Sequence, residues 1–140
     1  MAVNYSATLK TNRMQLVADL VASKSAAAST GSATAGTLVI GTTGMASTLV
    51  TFTLDATPGT VSGSVLTFTN SGTAISSGNP KTAVASATGT AAAAQIKNNA
   101  GTVIVDGLTV GTSATDITIN TTSISSGQTV NLTGATITHG

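Results

Sequence analysis

The chain has 140 residues, of which 41% are hydrophobic, 2% aromatic and 6% charged, with a formal net charge of +1 and no cysteine. This length suits one domain, and the lack of cysteine excludes disulfides, thiolate metal sites and thiol nucleophiles. An average soluble domain carries about 25% charged residues, so this composition gives no support to nucleic-acid binding or to electrostatic steering of a ligand. A weakly charged protein tends to associate, and we therefore expect contacts with other subunits.

The first 24 residues form a distinct segment in which a helix is predicted. Apolar side chains recur at helical spacing from Asn12 onward, with Thr11 or Asn12 available as the N-cap and Lys24 near the C-terminal end. The apolar positions are Met14, Leu16, Val17, Leu20 and Val21. We expect one helix of about three turns, and Leu9 would extend the same stripe toward the N-terminus.

Residues 25–36 are a run of small residues without periodicity, which predicts a flexible linker. The alternative is that residues 26–28, all alanine, prolong the helix.

Short β candidates follow, separated by turn signals. In the first half they are residues 37–40, 48–54, 60–61 and 65–69. The sequence DATPG at residues 55–59 and the pair Ser62-Gly63 indicate turns. Residues 71–80 predict a polar loop.

The second half continues the pattern, with a weakly strand-like stretch at residues 82–88. Residues 90–97 (TAAAAQIK) fit a helix by their alanines or a strand by their small-residue neighbours, and we prefer the strand. Clearer strands are predicted at residues 102–105, 108–110, 116–119, 129–132 and 135–138. A turn is predicted at Asp106-Gly107 and another at residues 125–127.

No long helix separates these strands, so a parallel crossover is not indicated. The sequence predicts an all-β fold with one N-terminal α-helix, in which residues 37–140 form an antiparallel β-sandwich of jelly-roll-like type. The expected organisation is a helical segment at 1–24, a linker at 25–36 and the sandwich domain at 37–140.

Groups that carry chemistry are scarce in this sequence. The four acids are scattered, with Asp106 and Asp116 the only nearby pair, and His139 stands alone near the C-terminus. Nucleophile-elbow, phosphate-loop and dinucleotide motifs are missing. We therefore predict no enzymatic activity, no cofactor and no metal. Calcium held by Asp106 or Asp116 with nearby carbonyl groups is the alternative.

Two further classes of partner find no support. Five basic and three aromatic residues cannot build a nucleic-acid surface. No apolar run approaches the ~20 residues of a membrane span, and the N-terminus lacks the features of a secretory signal. We expect neither nucleic acid nor membrane among the partners.

The N-terminal segment has two interpretations. In one, its apolar residues cover an open side of the chain's own sandwich. In the other, the segment extends from the domain and contacts a neighbouring subunit through Tyr5, Lys10, Arg13 and Met14, with the linker giving it reach.

Five segments of the chain resemble known proteins. They are MAVNYSATLKTNRMQLVADLV at the N-terminus, then TLVIGTTGMASTLVTFTL, TVSGSVLTFT, ATGTAAAAQIKNNAGTVIVDGLTVGTSATDITI and SGQTVNLTGATITHG. Over nearly the whole chain these segments resemble the small virion structural proteins of tailed bacteriophages, more narrowly those that decorate or cement the capsid. The small-residue linker is longer than a minimal cement protein needs.

The resemblance implies a jelly-roll or related β-sandwich on the outside of the phage head, assembled in the cytoplasm of the bacterial host. It implies that the chain, as a dimer or trimer, bridges subunits of the major capsid protein and helps the shell withstand packaged DNA. It carries over no catalytic or ligand residues. One alternative is a tail or head-fibre component that binds the host surface. Another is a tail-associated hydrolase, whose activity would depend on Asp106 or Asp116.

Overall fold

An N-terminal helix precedes a long series of short strands in the computed structural model, which describes residues 6–24 and 33–138. The helix, α1, spans Ala7–Val21. The strands are β1 Thr37–Gly41, β2 Thr48–Thr53, β3 Gly59–Ser62, β4 Val65–Asn70, β5 Thr73–Ala74, β6 Lys81–Val84, β7 Gly89–Thr90, β8 Ala93–Lys97, β9 Val103–Gly111, β10 Ile117–Ile119, β11 Ser123–Ile124 and β12 Thr129–Thr138. A single 3₁₀ turn, Thr43–Met45, separates β1 from β2.

Most strands belong to one curled sheet. Its order is β2-β1-β8-β9-β10-β12-β4-β3, with β5 beside β4 and β6 beside β12, while β7 and β11 form a small separate ladder. Strand β6 also lies against β2, where the Ser86 N–H donates to the Leu49 carbonyl oxygen at 2.8 Å. The sheet therefore wraps around one core, which confirms a mostly β, sandwich-like fold with one helix.

All strand pairs in the described residues are antiparallel except one, and that pair differs from the predicted antiparallel sandwich. Strand β10 runs parallel to β9, with Ile117 beside Val110 and Thr118 beside Gly111. Only the last two residues of β9 take part, because most of this strand pairs with β8 instead.

The core is aliphatic and contains both phenylalanines, Phe52 and Phe68, fully buried. Helix α1 contributes to the same core, since Met14, Ala18 and Val21 are buried within it. The helix contacts β3, β4 and β9. It therefore bridges two parts of the sheet that β10 and β12 separate.

Helix α1 begins earlier than the sequence predicts. Ser6 is the N-cap, and its Oγ accepts a hydrogen bond from the Leu9 N–H at 3.2 Å. Thr11 lies inside the helix and donates its hydroxyl to the Ala7 carbonyl oxygen at 3.0 Å. The predicted N-caps Thr11 and Asn12 are therefore wrong, because a serine one turn upstream satisfies the first free N–H groups.

The helix ends at Val21, followed by Ser23 in a left-handed conformation with φ 60°. The predicted extension through residues 26–28 and most of the predicted linker lie outside the described residues. Residues 33–36, the end of that linker, are hydrogen-bonded to the domain: the Thr34 N–H donates to the Ala22 carbonyl oxygen and the Leu54 N–H to that of Gly36.

Asp106-Gly107 does not reverse the chain. The two residues lie within the continuous strand β9, opposite a register shift between Ala94 and Ile96 of β8. Gly107 has φ +71°, which glycine adopts freely, and the extra residue forms a β-bulge. The predicted turn is therefore wrong. The Asp-Gly pair signals a residue that can adopt a positive φ, and a β-bulge needs such a residue just as a tight turn does.

Two other predicted elements differ in the structure. The stretches at residues 129–132 and 135–138 join into one strand, β12, with a register shift beside Thr118. The predicted loop at residues 71–80 contains the short strand β5. The strand preferred at residues 90–97 is confirmed in its main part as β8.

Candidate functional site

The outward side of α1 is the candidate site, because the predicted partner contacts fall on this helix. Met14 is 1% exposed and packs in the chain's own core, whereas Lys10 and Arg13 are half-buried at the margins of the helix. Tyr5 lies outside the described residues. The structure thus places Met14 on the inner side and the two basic residues between the inner and outer sides.

Contacts at its C-terminal end hold the helix in place. At its C-terminal end, the Asn99 N–H donates to Ser23 Oγ at 3.4 Å, and Asn99 Nδ2 donates to the Ala35 carbonyl oxygen at 3.0 Å. Close packing reinforces this end, since a Cβ on Gly36 would lie 2.5 Å from the Lys97 carbonyl oxygen and 2.8 Å from that of Val21. The helix therefore has a defined orientation on the sheet.

A line of leucines runs along the outward side of α1. Leu9 is 41% and Leu16 38% exposed, and Leu20 is half-buried. At 3.6 residues per turn these three positions fall within about 40° of one another, roughly opposite Ala18. We call Leu9, Leu16 and Leu20 the leucine face.

Large exposed apolar side chains are few in the described residues, and half of them belong to the leucine face. The others, Val84 at 63% and Val103 at 43% exposed, lie on β6 and β9. Single exposed apolar residues are ordinary on protein surfaces. Leu9 and Leu16 differ because they are aligned on one helix.

The charges around the leucine face are basic. Lys10 and Arg13 lie along one side of it, and the described part of the helix has a single acid, Asp19. Asp19 is buried on the inner side and accepts a hydrogen bond from Gln15 Nε2 at 3.1 Å. The outward side of the helix therefore combines leucine with positive charge.

A second polar cluster lies on the sheet around Asp55. Lys81 Nζ is 3.0 Å from Asp55 Oδ1 and donates to Asn70 Oδ1 at 3.3 Å. Asp55 Oδ2 accepts from Thr69 Oγ1 and from the Gly72 N–H, both at 3.1 Å. The carboxylate thus links the segment after β2, the end of β4 and the start of β6.

Asp55 is ionised more readily than an isolated aspartate. Burial raises the pKa of this carboxyl, but the hydrogen bonds from the Gly72 N–H, the Lys81 ammonium and neighbouring donors outweigh burial and hold the pKa below its usual value. Such an arrangement stabilises the fold. A general acid would need the opposite shift.

The two acids considered for chemistry make structural hydrogen bonds. Asp116 Oδ2 accepts from both the backbone N–H and the hydroxyl of Thr109 at 3.0 Å. Asp106 Oδ1 accepts from Gln95 Nε2 at 3.1 Å and from the Gly107 N–H at 2.7 Å, at the bulge. His139 lies outside the described residues. Among the residues that the structure describes, no three potential metal ligands come together.

A small cleft lies between α1 and the chain before β3. Its walls include Gln15, Asp19 and Lys24 from the helical segment, facing Pro58 and Gly59. The cleft is too small for an organic substrate.

No helix in the described residues has both the length and the apolarity needed to cross a membrane.

Comparison with known proteins identified no relative of this chain. No family model matches the chain, and neither the curated proteins nor the solved structures searched yield a match.

Sequence reasoning missed the leucine face because it assigned all the apolar helix residues to one stripe. A helical wheel separates them, since Leu9, Leu16 and Leu20 lie on the side opposite Ala18. The Asp55–Lys81 pair had no such signal, because 26 positions of sequence separate its members.

Proposed function

We propose that this chain is a phage capsid decoration protein, which binds the outside of the head and bridges subunits of the major capsid protein. The observation that carries the proposal is a surface with very few acidic groups. Asp19 is buried and Asp55 is ion-paired with Lys81, so Asp106 and Asp116 are the acids left at the described surface. The cores of protein interfaces are depleted in charged residues in the same way.

A lattice of identical subunits favours this kind of surface. Each copy can bind weakly through modest apolar and hydrogen-bonding contacts, because a small oligomer engages several capsid subunits at once and gains avidity. The resemblance over nearly the whole chain to decoration proteins supports the same function. The proposed location is the outer surface of the virion, with the major capsid protein and further copies of this chain as partners.

The proposal includes a jelly-roll arrangement of the strands. Antiparallel pairing between strands far apart in sequence, such as β1 with β8, supports it. An experimentally determined structure of the particle-bound chain would test the strand order.

The copy number per particle tests the proposed function. Quantitative mass spectrometry of purified virions should find a number of copies that scales with the number of capsid subunits. Heads that lack the chain should lose DNA at a lower temperature than complete heads. A value of only a few copies per particle, or binding of the isolated chain to host cells, would favour a fibre component instead.

A further inference from the structure

Two exposed residues of β9, Asp106 and Gly107, form the β-bulge in the middle of the strand. The residues on either side of them, Val105 and Leu108, pair with β8. A bulge leaves its extra residue outside the regular ladder of hydrogen bonds. The peptide unit that joins Asp106 to Gly107 is therefore less constrained than the peptide units of the flanking pairs.

The Gly107 amide contacts the side chain of the residue before it. Its N–H donates to Asp106 Oδ1 at 2.7 Å, so the amide nitrogen already lies beside the carboxyl group. A Cβ placed on Gly107 would meet no atom within 4 Å apart from its chain neighbours. Glycine has no side chain to hinder the approach of its nitrogen to a carboxyl carbon, and the open space admits water.

We propose that Asp106 and Gly107 form a self-modification site, at which the main chain isomerises without an enzyme. The Gly107 nitrogen attacks Cγ of Asp106 in its acid form. A C–N bond forms, and the carboxyl hydroxyl leaves with the amide proton as water, which gives a five-membered cyclic imide. Water then adds to one of the two imide carbonyl carbons and breaks its bond to nitrogen. Opening at the main-chain carbonyl carbon of Asp106 leaves an isoaspartyl linkage, whereas opening at Cγ restores aspartate.

Gln95, which lies on β8 opposite the bulge, contacts the group that reacts. Its Nε2 donates to Asp106 Oδ1 at 3.1 Å. Negative charge develops on this oxygen when the nitrogen attacks Cγ, and a donor that is already in place stabilises such charge. Because Gln95 belongs to β8, the strand pairing sets the position of the donor. The fold therefore holds both the nucleophile and a stabilising donor beside one carboxyl group.

Isomerisation lengthens the main chain inside a paired strand. The isoaspartyl linkage runs through Cβ and Cγ of Asp106 and adds one carbon to the backbone between Val105 and Leu108. Both of these residues pair with β8, and Leu108 is buried in the core. The added length must displace one of the two pairs, so the modified chain should be less stable than the original.

Incubation of the purified full-length chain in mildly acidic buffer tests the site. Peptide mapping with electron-transfer fragmentation distinguishes isoaspartate from aspartate at each position, and the imide is lighter by one water. Asp116 is the control within the same molecule, because the β-branched Ile117 follows it and its Oδ2 accepts from Thr109 instead. We expect isoaspartate at residue 106 and at least about tenfold less at residue 116.

A comparison with the chain unfolded in urea separates the effect of the fold from that of the Asp-Gly pair. We expect the folded chain to isomerise at residue 106 at least as fast as the unfolded chain, since the bulge already holds the nitrogen and the carboxyl group in contact. Gln95→Met keeps the length of the side chain but removes the donor. It should slow isomerisation of the folded chain by roughly two- to fivefold, the effect of one hydrogen bond. Circular dichroism establishes that this variant folds.

Asp106→Glu tests the effect on stability. Glutamate keeps the charge but could form only a six-membered ring, which closes far more slowly. After incubation, the wild type should therefore lose part of its free energy of unfolding in urea, and Asp106→Glu should not.

Two results would overturn the proposal. One is a folded chain that isomerises at residue 106 more slowly than the unfolded chain, because the bulge would then protect the pair. The other is an equal amount of isoaspartate at residues 106 and 116. An unchanged or higher rate in Gln95→Met would overturn the role given to Gln95.

Discussion

At the scale of single residues, the polar cluster around Asp55 is the most informative part of the sheet. Asp55 receives hydrogen bonds from Lys81, Thr69 and Gly72, which belong to separate segments of the chain. Asn79 adds to the cluster, since its Nδ2 donates to the carbonyl oxygens of Asn70 and Thr73 at 3.1 Å. These bonds hold the β4–β5 hairpin against the start of β6.

Replacing Asp55 with asparagine should destabilise the fold. The substitution keeps the shape of the side chain but removes the charge that pairs with Lys81, so we expect the free energy of unfolding at about pH 7 to fall by about 1–3 kcal/mol. Urea unfolding measures this difference. Asp106→Asn is the matched control, because Asp106 is exposed and its loss should cost less than about 1 kcal/mol. Equal losses in the two variants would contradict the role given to the ion pair.

The lowered pKa of Asp55 also predicts how stability depends on pH. The folded state binds this proton less readily than the unfolded state, so the contribution of Asp55 is complete above the unfolded pKa, near about 4. It is lost as the pH falls through the lower folded pKa. Urea unfolding at about pH 7 and about pH 3 should show a decrease that is smaller in Asp55→Asn than in the wild type. An identical decrease in both proteins would assign the acid sensitivity to other groups.

At the scale of elements, α1 is a structural part of the sheet's core as well as a candidate docking surface. Its inner side carries Met14, and its outer side carries Leu16 two positions later. Deleting the whole helix would remove both sides at once and uncover the core. Substitutions on one side at a time separate the two functions.

Truncation of Met14 should therefore cost far more than truncation of Leu16. Met14→Ala leaves a cavity in a closed core, and we expect a loss of about 2–4 kcal/mol in the free energy of unfolding. Leu16→Ala removes a partly exposed side chain and should cost less than about 1 kcal/mol. Urea unfolding compares the two variants. Similar costs would mean that the helix packs differently from the structure described.

The sequence predicted most elements where local signals are strong, and it failed where long-range contacts decide. Strand β1 follows a compact apolar run, and β2 and β4 carry their buried residues mainly at alternating positions, so residues 37–40, 48–54 and 65–69 were close to the observed bounds. Asp106-Gly107 was taken for a turn, because the sequence shows that a positive φ is available but not that β8 continues alongside. Only pairing across the sheet distinguishes the two.

The sequence predicted the helix that carries the candidate site, but it did not show which side of that helix is exposed. The helix and its basic residues follow from composition and periodicity. Which side of the helix is covered depends on where the sheet lies, and α1 contacts β3, β4 and β9, strands that lie far from it in sequence, between residues 59 and 111. The inner position of Met14 and the outer position of Leu16 could therefore not be assigned from spacing alone.

At the scale of the whole molecule, the curled sheet and the helix share one hydrophobic core. The helix contacts both β9 and the β3–β4 pair. In the described residues β9 forms no hydrogen-bonded ladder with β3 or β4. Removing the helix would expose apolar surface on both sides of that opening. The helical segment and the sheet should consequently depend on each other for stability.

We expect the chain to unfold in a single cooperative transition in which α1 and the sheet lose structure together. Elements that share buried side chains open as one unit, since exposing Met14 and Val21 also exposes the strands that cover them. Hydrogen exchange measured residue by residue checks this directly: the amides at the centre of α1 should be protected to the same free energy as those of β1 and β8. Helix amides that exchange through a much smaller opening free energy would show instead that residues 1–24 behave as a separate segment. In that case the leucine face would belong to an arm that opens independently of the sheet.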